Sequence, residues 1–181
     1  PQLAADAAAR LSFVALDLTA DEGWDAAMAG AGALIHTASP FPIAQPRDAA
    51  ELIRPAVDGT LRALRAAHRA GVGRVVLTSS TVAIVAPGVH GPQDEDRWTD
   101  LGLPGVTPYA RSKTMAERAA WDFVAGEGRG IALTAINPGL IVGPVLGQVL
   151  GSSAGLVRRM LVGRDPLQPR YGLPVVDARD V

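Results

Sequence analysis

Four short apolar runs punctuate the chain, and helical patterns fill the intervals between them. The runs are Leu11–Leu18 (LSFVALDL), Ala33–Ala38 (ALIHTA), Arg74–Ser80 (RVVLTSS) and Ile131–Asn137 (IALTAIN). Each is too short for an ordinary helix and is bounded by turn residues, so each reads as a buried strand. Thr19 is placed to cap a short helix over Asp21–Met28, with acidic residues in its first turn. Asp48–Ala70 carries Leu52, Ile53, Val57, Leu61 and Leu64 at mostly helical spacing and stops at Gly71. Pro55 is expected to kink or restart that helix. Pro108–Val124 reads as a third helix, ending before Gly126. Strands that alternate with helices predict an α/β chain with a parallel sheet covered on both faces. Right-handed crossovers make it doubly wound. Ligands of such sheets lie beyond the carboxyl ends of the strands. Asp17-Leu18, Thr37-Ala38-Ser39, Ser79-Ser80 and Asn137-Pro138-Gly139 stand at those ends.

The totals narrow the function classes. A chain of 181 residues suits one domain with a sizeable core, and 48% apolar against 19% charged residues is a globular balance. The net charge is -1, without a basic stripe for nucleic acid or a polybasic block for a membrane surface. No cysteine is present, which excludes a disulfide framework and thiolate metal sites and fits a cytoplasmic setting. Gly130–Val157 carries no charge and has the length of a membrane span, but Asn137-Pro138-Gly139, Gly143-Pro144, Gln148 and Gly151-Ser152-Ser153 interrupt it. It reads instead as a buried strand followed by a loop.

Within "TPYARSKTMAERAAWDF", Tyr109 and Lys113 stand four residues apart and share a helix face. A free tyrosine has a pKa near ~10, and a nearby cation favours its phenolate. A tyrosine tuned in this way can give a proton to a carbonyl under reduction, or take one from an alcohol under oxidation. Such a carbonyl needs a second donor for its developing charge, and Ser80 at a strand end is the candidate. The hydride itself must come from a nicotinamide cofactor, since no side chain supplies one. Taken alone, Tyr109 and Lys113 also read as a solvated surface pair. Order and spacing favour the chemical reading: Ser80 lies 29 residues before Tyr109, and Asn137-Pro138-Gly139 begins 24 residues after Lys113.

These segments together resemble the extended short-chain dehydrogenases/reductases, in the branch of dihydroflavonol reductases, cinnamoyl-CoA reductases and bacterial aldehyde reductases. The resemblance rests on "DLT" (17–19), "HTASPF" (36–41), "RPAVDGTLRALRAA" (54–67), "RVVLTSS" (74–80), "YARSKTMAERAAWDF" (109–123) and "NPGLIVGP" (137–144). It implies an NAD(P)-binding Rossmann-like fold and reduction of a small-molecule carbonyl substrate by a monomer or homodimer. It makes Ser80, Tyr109 and Lys113 the catalytic trio, with Lys113 also on the nicotinamide ribose. Asp17 and Leu18 would meet the adenine, and Thr37, Ala38 and Ser39 would run beside the cofactor. Pro138, Leu140 and Ile141 would line the nicotinamide end, and Ser153 would approach the phosphates. The cofactor would be NADP or NAD, with a lean toward NADP. Ala56 stands where the wider family often has asparagine, which disfavours the sugar epimerases.

The family's opening strand and glycine-rich, phosphate-cradling turn have no match here, because "AGAGAL" (29–34) precedes a strand rather than following one. The expectation is therefore a partial Rossmann-like domain over about 1–144, running into the start of a substrate lobe over about 145–181. Among other residues, His36 is expected in the core, with a cofactor-side role as the alternative. His68 and His90 have no clustered partners for a metal. Trp121 is expected to pack inside, and Trp98 to sit in a solvated loop or border the substrate. Phe41 and Pro42 are candidates for that border, and Asp177 and Asp180 for a turn. A nucleotide-sugar epimerase or dehydratase is the second enzymatic reading; a non-catalytic cofactor-binding fragment is the third.

Overall fold

A computed structural model describes residues 9–41, 46, 48–85, 88–144, 151–163 and 172–181. Pro42 and Gln148 lie outside the described residues. In chain order the elements are α1 (Trp24–Met28), β1 (Leu34–His36), α2 (Ala50–Arg69), β2 (Arg74–Thr78), a 3-10 turn (Thr81–Ala83), α3 (Pro108–Ala125), β3 (Ala132–Ile136), β4 (Leu140–Val142), α4 (Ser152–Leu161) and β5 (Val175–Asp177).

β1, β2 and β3 form a parallel sheet in that order, with Leu34 opposite Val75 and Val75 opposite Leu133. The register puts Leu34, Val75 and Leu133 on one face with His36, Leu77 and Ala135. Two consecutive right-handed crossovers carry α2 and α3 onto a single face. There Leu64 and Ala67 of α2 meet Ala120 and Phe123 of α3 over Val75 and Leu77. α1 packs Trp24 and Met28 against Ala63 and Ala66 on the far flank of α2. Among the described residues the opposite face is thinly covered, and Ile35 is 70% exposed. Burial of the helical stripes is the main stabilising term, at about 25 cal/mol per Å² of apolar surface.

Several local expectations change. Residues 11–17 form no strand: among the described residues the run has no ladder partner, and Phe13 is 91% exposed. A strand-like side-chain pattern provides a tendency to pair, and pairing still needs a neighbour. Thr19 does not cap α1, which starts from Gly23 in a left-handed conformation without a side-chain cap. Its amide and hydroxyl instead donate to Asp17 Oδ1, both at 2.7 Å. α2 runs unbroken through Pro55, so no restart occurs. Pro55 lies in the second turn, where only one intrahelical bond is lost.

The apolar stretch after Asn137 is not a strand and a loop alone. It opens with β4, which pairs in parallel with β5, and α4 follows. Gly139 allows the close approach of this second sheet, because a Cβ there would lie 2.2 Å from the Pro174 carbonyl oxygen. Asp177 organises a turn, accepting from the Arg179 amide at 2.8 Å and from its guanidinium. Trp121 is not a core residue: it is 38% exposed, with its ring edge turned toward α3's own polar stripe. No helix among the described residues is long and apolar enough to cross a membrane.

Candidate active site

The phase of α3 sets the site. Thr107 Oγ1 accepts the Ala110 amide at 3.1 Å, and Pro108 occupies the first turn, where its missing N–H leaves no bond unmade. From that start Tyr109, Lys113, Glu117 and Trp121 recur every fourth residue along one stripe. Its first three members face the carboxyl ends of β2 and β3, through Ser80, Thr78 and Asn137. Lys113, only 7% exposed, donates from Nζ to the Thr78 carbonyl at 3.2 Å, on the last residue of β2.

Just beyond β2 the chain turns at Ser80, whose Oγ accepts the Val82 amide at 3.4 Å and opens the 3-10 turn. The Ser80 hydroxyl also hydrogen-bonds Tyr109. Beyond β3, Asn137 Nδ2 donates to the Ser80 carbonyl at 3.1 Å and to Glu117 Oε2 at 2.8 Å. Ladder-like bonds continue past both strands, from the Ser79 amide to Ile136 O and from the Thr81 amide to Pro138 O. These bonds hold Ser80 against the start of α3.

A cavity of about 380 Å³ opens over these strand ends. Ser80, Tyr109 and Lys113 line it together with Thr37 and Ser39 from the end of β1. Pro138, Leu140, Ile141 and Ser153 line its other side, so the chain folds most of the expected site residues around one space. Phe41 also borders it and meets the Tyr109 ring edge-on, with centroids 5.0 Å apart. Ala38 instead faces a small gap behind Lys113, with Thr60 and Glu117. Asp17 and Leu18 lie outside the cavity: Leu18 rests on α2 against Gly59, and its carbonyl accepts from Arg62. Trp98 stacks against the Arg118 guanidinium, 5.1 Å from its ring centre, which pins its loop to the outer side of α3.

The electrostatics differ from the expectation that Lys113 would draw Tyr109 toward its phenolate. Burial raises the Tyr109 pKa above its ordinary value, and the hydrogen bond from Ser80 opposes that shift. Lys113 Nζ lies 6.0 Å from the ring centroid, with its hydrogen bond turned toward Thr78. Burial lowers the Lys113 pKa, opposed by the Glu117 charge. His36 is buried as expected, and burial with the Lys113 charge lowers its pKa to about 4, so it is neutral near pH 7. Glu117 carries no role in the sequence reading, and Asn137 enters it only as the mark of a strand end. The available signal was an acidic residue on the stripe of Tyr109 and Lys113, at a position where a helix should bury apolar groups.

The parallel sheet and the cavity at its strand ends define a Rossmann-like α/β protein, the class built to take dinucleotides at that edge. Residues 2–178 match the profile of the NAD dependent epimerase/dehydratase family, and the chain belongs to that family. It is 39% identical over 162 residues to tetraketide alpha-pyrone reductase 1 of Arabidopsis thaliana, covering 85% of this chain and 48% of that protein. It is 34% identical over 179 residues to cinnamoyl-CoA reductase CAD2 of Medicago truncatula, covering 95% of this chain and 54% of that protein. Among solved structures, yeast methylglyoxal/isovaleraldehyde reductase Gre2 complexed with NADPH superposes with a TM-score of 0.72 at 27% identity, over 91% of this chain and 55% of that one. The chain thus spans about half the length of the relatives it matches.

Proposed function

We propose that the protein reduces an aldehyde or ketone to an alcohol with NAD(P)H, using Tyr109 as the proton donor. The observation that carries this reading is the meeting of Ser80, Tyr109 and Lys113 in one cavity at the carboxyl ends of parallel strands. The family match and the reductases similar to this chain support it. The cavity suits a nicotinamide and its ribose in size. Lys113 would hold the ribose. Thr37, Ala38 and Ser39 would run along the cofactor, Pro138, Leu140 and Ile141 would bound the nicotinamide, and Ser153 would approach the phosphates. Asp17 and Leu18 would meet the adenine. NADP is preferred to NAD because the similar yeast reductase was solved with NADPH.

The cofactor, when bound, supplies the hydride to the carbonyl carbon. Tyr109 delivers its proton to the carbonyl oxygen as the C–O double bond becomes single. Its raised pKa keeps that proton in place until the oxygen becomes basic. Ser80, beside it, offers the second hydrogen bond to the developing charge. Phe41 packs edge-on against the ring's flank. We assign about 1–144 to the cofactor-binding part and about 145–181 to the start of the substrate lobe, with the β4–β5 pairing joining the two across that boundary. The protein acts as a monomer or homodimer on a small carbonyl compound in the cytoplasm. The test is oxidation of NADPH and NADH, followed optically, with a panel of aldehydes and ketones. Turnover of any of them supports the reading. Inertness toward all of them, with turnover of a UDP- or dTDP-sugar, would make the protein an epimerase or dehydratase.

A further inference from the structure

We propose that Glu117 is a positioning residue of this site, giving Lys113 a counter-charge without contact and holding the Ser80 backbone in place through Asn137. The inference rests on the reductase reading above for its meaning, but its geometry stands apart from it.

Glu117 is 5% exposed, which is unusual for a carboxylate without a direct cationic partner. Both oxygens are engaged by neutral donors: Asn137 Nδ2 reaches Oε2 at 2.8 Å, and Trp121 Nε1 reaches Oε1 at 3.4 Å. The carboxylate is therefore fixed and does not swing onto Lys113 as an ion pair. Lys113 Nζ instead bonds the Thr78 carbonyl, which leaves the ammonium on the cavity wall. Among the described residues the groups near Lys113 are neutral except for one. β1 contributes His36, which is neutral near pH 7, and β2 the Thr78 carbonyl. The gap beside Lys113 is also lined by Thr60 of α2 and by Ser39 and Ser79 beyond the strand ends, and α3 itself contributes Tyr109 and Glu117. Burial of a lone ammonium is costly unless a charge compensates it. Among these groups the carboxylate is the one that carries negative charge. A direct pair would occupy the donors of Lys113, whereas a pinned neighbour one turn away supports the charge and leaves the donors available.

The second role follows from the same amide. Asn137 Nδ2 is shared between Glu117 Oε2 and the Ser80 carbonyl, so the carboxylate orients an amide that would otherwise rotate. Ser80 is thereby linked to α3 through the residue that follows β3.

Lys113 is the chain's one lysine, so lysine labelled with 13C and 15N gives a single side-chain signal to titrate. The variants are Glu117→Gln, which keeps shape and an acceptor for Asn137 but removes charge, and Glu117→Asp, which keeps charge. We expect Glu117→Gln to melt cooperatively and its Lys113 titration to move to lower pH. Glu117→Asp should return it toward the wild type. The alkaline limb of NADPH-dependent aldehyde reduction should move in the same direction in Glu117→Gln. Coincident Lys113 titrations in wild type and Glu117→Gln would overturn the proposal. So would loss of the cooperative melt in Glu117→Gln, which would make the residue structural alone. The titration needs no turnover, so a wild type that reduces no carbonyl refutes the reductase reading while the lysine signal still decides this one.

Discussion

The end of β2 and the Asp17–Leu18 corner are both apolar runs that stop in polar residues, yet they are built in different ways. At the end of β2, Ser80 is tied to residues distant in sequence: Asn137 across 57 positions, and Pro138 through the Thr81 amide. Lys113 reaches back 35 positions to Thr78. At the Asp17–Leu18 corner the carboxylate of Asp17 bonds Thr19, two residues away, its carbonyl accepts from the Trp24 indole seven residues away, and the run before it is exposed. The first place is held by tertiary structure, so its side chains have one arrangement before any ligand arrives. The second is held by a local turn and by one helix alone, with Leu18 resting on Gly59 of α2 and its carbonyl accepting from Arg62 of the same helix. Catalysis needs fixed geometry, whereas an adenine contact tolerates a looser one.

The change that bears hardest on the tightly built end is Tyr109→Phe. The ring keeps its edge contact with Phe41, so the fold should survive, with at most about 1 kcal/mol lost for the missing hydroxyl bond. Carbonyl reduction should fall by roughly 10²–10⁴, the usual contribution of a positioned acid. Steady-state rates together with a thermal melt check both halves. Wild-type turnover in the variant would remove Tyr109 from the chemistry and with it the functional meaning of the comparison.

How far these two ends were legible in the sequence follows from the range of the forces involved. Helix phase is local, so the cap at Thr107 and the spacing of Tyr109 and Lys113 were enough to align them. The ends of β2 and β3 are equally local, marked by Ser80 and Asn137-Pro138-Gly139. Whether residues 11–17 pair is not local: the run has the composition of a strand but no ladder among the described residues. Strands β4 and β5 have three residues each, too few for periodicity to register. Glu117 stayed hidden because a charge on a helix reads as a solvated face. Its burial depends on a donor twenty residues further on, in another element.

His36 gives the next largest effect and tests whether the end of β1 belongs with the tight region. Its pKa falls from 6.5 to about 4 on folding, chiefly through burial. The unfolded chain therefore binds more protons between those values, and stability declines as pH drops through that window. The full shift corresponds to about 3 kcal/mol, present above pH 6.5 and lost near pH 4. Denaturant midpoints from pH 7 to pH 4 should show this decline in the wild type and a flatter profile in His36→Gln. Parallel profiles would mean that His36 is solvated and that the end of β1 is loose.

Gly59→Ala moves the comparison to the other region. A Cβ at position 59 would lie 2.8 Å from Leu18 Cδ2 and 2.9 Å from its Cβ, so Leu18 must shift off α2. Overpacking of this kind costs roughly 1–3 kcal/mol, reduced where a loop can yield. We expect a loss at the low end, with the Lys113 titration unchanged. A loss well above that range would show the corner to be as rigid as the end of β2.

Asp17→Asn carries the smallest expected effect and separates the two tasks of the corner. Both Thr19 donors fall on Asp17 Oδ1, an oxygen that asparagine retains, so the turn should persist and the melt should not move. The second oxygen becomes an NH₂ group, which can no longer accept a hydrogen bond from the adenine amine. The Thr19 amide, and after it the Thr19 hydroxyl, hold the Asp17 carboxyl below its ordinary pKa, so it is ionised throughout the neutral range and any loss of affinity should be independent of pH there. If Asp17 meets the adenine, NADPH affinity should fall roughly three- to tenfold, the worth of one exposed hydrogen bond. Titration calorimetry with NADPH on the wild type, Asp17→Asn and Asp17→Ala measures it. Equal affinity in all three would leave Asp17 with the turn alone. A loss in Asp17→Ala that Asp17→Asn does not share would trace the effect to the turn, and would mean that even the loosely built corner acts by holding its backbone in shape.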